Sequence, residues 1–236
     1  MLLALINLFG CSILNDSNAD QITEALQKKY GEKFKVTGLG NRLGTATNDT
    51  VTSYVYAENK PDVLFEAEVN TKGELTFDNY VERRVTRQVE DIIRKSFQDQ
   101  SLEALANVHI YGPTGAKPTN PDITLEEYVK SHKPELFIAQ IILKNPTGDL
   151  KASAASIMQA YQNIYANLYG TGLEGKVKVI AAEQYADCAE KFREEVSVTK
   201  TWYEDFKVMS EFSVSVTGAG VNKSESELES LIKGGK

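Results

Sequence analysis

The sequence predicts an α+β protein in two parts: a two-layer helix and antiparallel-sheet unit over residues 20–98, then a mixed α/β unit with alternating strands and helices over residues 106–217. Three observations carry this reading. Short runs with apolar residues at every second position cluster in the first half, as half-buried strands do. Segments with apolar residues at three- and four-residue spacing stand before and after those runs. From Val108 onward the two patterns alternate instead of clustering.

In the first part, Ile22, Ala25, Leu26 and Tyr30 recur at helical spacing behind capping residues at 16–20, and Gly31 stands where a glycine ends a helix. Phe34 and Val36, then Val51, Ser53, Val55 and Ala57, then Val63, Phe65, Ala67 and Val69 alternate with more polar neighbours and read as three strands. Residues 70–73 are a turn signal, so residues 74–77 add a fourth strand as a hairpin arm. Val81, Val85, Val89, Ile92, Ile93 and Phe97 form one apolar stripe of a second helix. Its Arg and Lys residues alternate with Glu82, Glu90 and Asp91, which describes a solvated face.

In the second part, residues 108–111 read as a strand, residues 112–122 as a proline-rich loop, and Thr124 with Glu127 as a capping box opening a helix through Ser131. Residues 136–143, L-F-I-A-Q-I-I-L, are almost continuously apolar, which places that strand inside the sheet with both faces covered. Leu150, Ala154, Ile157, Met158, Tyr161, Tyr165 and Leu168 mark the longest amphipathic helix, ended by Gly170, Gly172 and Gly175. Residues 177–181 follow as a strand, and Tyr185, Cys188, Ala189, Phe192 and Val196 as a helix. Residues 199–208 fit a short helix or a strand, with Trp202 and Phe206 at i,i+4 favouring helix. Phe212, Val214 and Val216 alternate with serines as a last strand. A tail over residues 218–236 carries a short helix opened by Ser224 and Glu227.

A net charge of −7 and the lack of a basic domain argue against nucleic acid as a partner. Two cysteines, Cys11 and Cys188, cannot build a disulfide framework or a repeated metal-ligand spacing. No cofactor and no metal site is expected.

Residues 1–10, M-L-L-A-L-I-N-L-F-G, form an apolar run of signal-peptide length that stops at Cys11 and is followed at once by polar residues. Leu8, Gly10, Cys11 and Ser12 make this stretch resemble the lipobox of bacterial lipoproteins, and the rest of the chain is similar in style to small uncharacterised lipoproteins of Gram-positive bacteria. The resemblance implies cleavage before Cys11, diacylglyceryl attachment to its thiol, and residues 11–19 as a lipidated tether. Phe9 is bulkier than the residue usual at its place, and no basic residue precedes the run.

Local motifs nominate no catalytic group. Gly38, Gly40, Arg42 and Gly44 lack the spacing of a dinucleotide fingerprint and lead into a strand, so they read as a hairpin loop. Pro113, Lys117 and Pro121 belong to a stiffened loop without the Gly-Lys-Ser/Thr ending of a phosphate loop. Both loops are candidate partner-binding surfaces. His109 and His132 have no ligand or triad spacing, and Cys188 lies on an apolar helix stripe as a buried thiol. The expectation is a membrane-tethered extracytoplasmic binding or scaffold lipoprotein whose partners are the membrane and an envelope protein or wall polymer. The alternatives are an envelope hydrolase assembled around His109 or His132, and a cytosolic interaction protein if Met1 is the true start.

Overall fold

The computed structural model describes residues 6–39, 50–112, 118–146, 150–199 and 201–233. The chain divides into two compact units, Met1–Arg83 and Arg84–Lys236.

In the first unit, helix α1 (Ile6–Tyr30) precedes strands β1 (Phe34–Leu39), β2 (Thr50–Ala57), β3 (Lys60–Asn70) and β4 (Leu75–Asp78). The strands pair in chain order as an antiparallel sheet. Gly31 ends α1 with φ +73° and its N–H on the Gln27 carbonyl at 2.8 Å, as the sequence anticipates. Ile22 and Leu26 are fully buried with Val55, Ala57, Phe65 and Ala67, so every second strand residue meets one helix stripe. Tyr30, Phe34, Phe65 and Tyr80 pack ring against ring within that core, at centroid distances of 4.7–6.1 Å. Residues 11–19, expected as a lipidated tether, have helical backbone within α1.

In the second unit a five-stranded sheet has the order β5-β6-β7-β8-β9, from β5 (Ala104–Tyr111), β6 (Leu136–Lys144), β7 (Gly172–Ile180), β8 (Val208–Thr217) and β9 (Gly220–Val221). β6 and β7 run parallel, joined through helix α4 (Leu150–Ala166); the other neighbours are antiparallel. The main core joins Phe137, Ala139, Ile141, Val177, Val179, Phe212 and Val214 to α4, to α3 (Leu125–His132) and to α6 (Glu225–Ile232). A smaller core on the other face gathers Ile142, Ile180 and Val208 under α5 (Tyr185–Glu194) and the turns around Trp202 and Phe206. β6 is therefore flanked by strands on both sides and covered on both faces at Ile141 and Ile142, as its apolar run requires.

Three boundaries differ from the sequence reading. The division of the chain falls inside helix α2 (Tyr80–Gln98) and not after it: Val85, Val89, Ile93 and Phe97 belong to the core of the second unit, while Tyr80 belongs to that of the first. Residues 99–102 form a tight turn, with the Leu102 N–H on the Phe97 carbonyl at 3.0 Å, and no linker. Gly172 and Gly175 lie in β7, and only Gly170, at φ +87°, serves the turn after α4. The expected short helix of the tail is present as α6, with Leu228 and Ile232 in the main core.

Candidate functional site

The first unit carries an open groove of about 780 Å³ between α1 and the β3–β4 turn. Its α1 wall is Gln21, Glu24, Ala25, Lys28 and Lys29, residues three, four and seven apart and so on one flank of the helix. The facing wall is Lys72, Gly73, Glu74 and Leu75. Asn70 shapes that turn: its Oδ1 accepts the N–H groups of Lys72 at 2.9 Å and Glu74 at 3.0 Å, and its Nδ2 donates to Glu74 Oε2 at 2.8 Å. Gly73 has φ +74°, and a Cβ there would come within 3.2 Å of Gln21 Cδ. Glycine thus supplies both the left-handed backbone and the close approach of turn to helix.

Not all of the groove's charges are available to a ligand. Lys29 donates to Asp78 Oδ2 at 2.7 Å, and Tyr30 donates to Asp78 Oδ1 at 2.6 Å. Burial first, and then the Asp78 hydrogen bond, push the Tyr30 hydroxyl well above its ordinary range. Glu74 is held by Asn70. Among the described residues, the side chains of Gln21, Glu24, Lys28 and Lys72 engage no hydrogen bond or ion pair, and the neutral Asn70 amide leaves the Glu74 charge uncompensated, so the groove is lined by two unpaired cations and two carboxylates.

The residues singled out from the sequence are distributed differently. Gly38 lies within β1, where the register with β2 shifts between Val36 and Gly38. Gly40, Arg42, Gly44, Pro113 and Lys117 lie outside the described residues. Pro121 sits in a turn closed by Asn120, whose Oδ1 accepts the Asp122 N–H at 3.0 Å. That turn is fastened to α2 by the Arg84–Asp122 ion pair at 3.1 Å and by Gln88, which donates to the Ile123 carbonyl and accepts the Leu125 N–H. The C-terminal end of the proline loop is thereby held in place. Cys11 lies in the helical backbone of α1.

His132 ends α3 stacked on Tyr128, at 4.5 Å between centroids and 8° between planes. Ser131 Oγ is 2.8 Å from His132 Nδ1 and 2.6 Å from the Glu127 carbonyl. A hydroxyl has one proton, and the shorter bond takes it to the carbonyl, so Ser131 accepts from His132 Nδ1–H. That is the reverse of the polarity by which an imidazole activates a serine. Glu127, one turn before Ser131 on the same helix, is spent on the capping box: the N–H and hydroxyl of Thr124 hold its carboxyl below the ordinary range. His109 is exposed on β5 opposite Ile138. Cys188 is fully buried, and burial pushes its thiol up to about 11. A second, acidic groove of about 360 Å³ runs along α5 past Asp187, Glu190, Glu194 and Asp205. No cluster of three or more His, Cys, Asp or Glu with metal-binding geometry occurs among the described residues.

The α1 groove escaped the sequence reading because its walls lie some fifty residues apart. The only local traces are the Lys28-Lys29 doublet and the Lys72-Gly73 turn, and neither identifies the other.

The described elements, six helices with one antiparallel and one mixed sheet, define an α+β protein. The chain is similar in structure to a DUF5037 family protein from Ruminococcus gnavus, with a TM-score of 0.66 and 17% identity over 92% of this chain and 99% of that one. At that identity the likeness concerns the fold, and the neighbour is a bacterial protein. No protein-family model matches the sequence, and no curated protein does.

Proposed function

We propose that the chain is a membrane-tethered extracytoplasmic binding lipoprotein, anchored through a diacylglyceryl group on Cys11, whose folded body recognises an envelope protein or wall polymer. The observation that carries the reading is the apolar run of the sequence and its end at Leu8-Phe9-Gly10-Cys11-Ser12, five residues that lie on the same helix as the groove residues Gln21 to Lys28. No helix among the described residues is long and apolar enough to cross a membrane, so a thiol-linked lipid would be the means of attachment for this reading. A helix rises 1.5 Å per residue, so Gln21 lies about 15 Å along α1 from Cys11. Upright on the membrane, α1 would hold the groove beyond the headgroups, which occupy only about 5–8 Å on each side of the hydrocarbon core. Confinement at the membrane raises the effective concentration of a weakly binding body near envelope partners.

The test is expression in a bacterium fed labelled palmitate. Wild type is expected in the membrane fraction and labelled, and Cys11→Ala is expected to lose the label. A cytosolic wild type, or equal labelling of both proteins, would contradict the reading. In-cell crosslinking of the labelled protein then reports the partner.

A further inference from the structure

We draw no further inference here: the strongest candidate, the surface patch that exposed Tyr111 at the end of β5 and exposed Tyr169 in the turn before β7 form at one end of the five-stranded sheet, carries nothing because nothing in the structure shows what covers it.

Discussion

Tyr161 and Gly175 show how one residue explains another. Tyr161 is fully buried against Phe97, and its hydroxyl has no hydrogen-bond partner among the described residues. A Cβ on Gly175 would collide with that hydroxyl and come within 2.9 Å of Ile141 Cδ1. Gly175→Ala should therefore cost about 1–3 kcal/mol in urea unfolding, as overpacking does, and Tyr161→Phe should be neutral or stabilise by about 1 kcal/mol because an unpaired buried hydroxyl is removed. Combined, the pair should cost less than the sum, since the phenylalanine vacates the contested space; additive costs would show that the two residues do not meet. The buried ionisable groups set the alkaline limit. Cys188 is raised to about 11, and Tyr30, Tyr161, Tyr185 and Tyr203 are raised further, each chiefly by burial. A raised folded pKa means the native state keeps its proton while the unfolded chain loses it, so stability is complete below the unfolded pKa and falls as pH rises. The loss should begin near pH 9 with Cys188, amounting to roughly 2 kcal/mol by pH 11. Cys188→Ala should flatten the urea midpoint between pH 8 and 10; an unchanged slope would contradict a buried, protonated thiol.

Helices α3 and α6 open on the same device. In each, the cap hydroxyl of Thr124 or Ser224 accepts the N–H three residues on, and Glu127 or Glu227 reaches back to the cap N–H. Thr124→Ala should cost about 1 kcal/mol, read as a lower urea midpoint with an unchanged m-value, and no change would mean that α3 is held by Leu125, Tyr128 and Val129 alone. These boxes were legible in the sequence because all their parts lie within four residues. So were the glycine end of α1, the three alternating strands and the hairpin arm after the turn at residues 70–73. What was not legible depended on partners far along the chain. The stripe from Val85 to Phe97 announces burial but not which core receives it, so α2 was assigned to the first unit. Gly172 and Gly175 resemble helix stops until Tyr161, fourteen residues before Gly175, is seen to demand a strand without a side chain. Trp202 and Phe206 keep their i,i+4 contact, at 5.5 Å, yet only within turns in which the N–H groups of Trp202, Glu204 and Phe206 bond three residues back.

At the scale of the molecule, local chemistry and fold point to different depths of knowledge. The neighbour from Ruminococcus gnavus matches the fold over 92% of this chain, and a fold by itself does not specify what is bound. The functional account rests on the helix that carries both the lipobox-like cysteine and one wall of the groove. Its parts were visible separately as a short motif and a pair of lysines, and the structure sets both on one helix. The most direct measurement is mass spectrometry of the N-terminal peptide from protein extracted out of bacterial membranes. The account predicts a peptide that begins at Cys11 and carries a diacylglyceryl group on its sulfur. A peptide that still contains residues 1–10 with an unmodified Cys11, recovered from a protein that is fully expressed and folded, would contradict it.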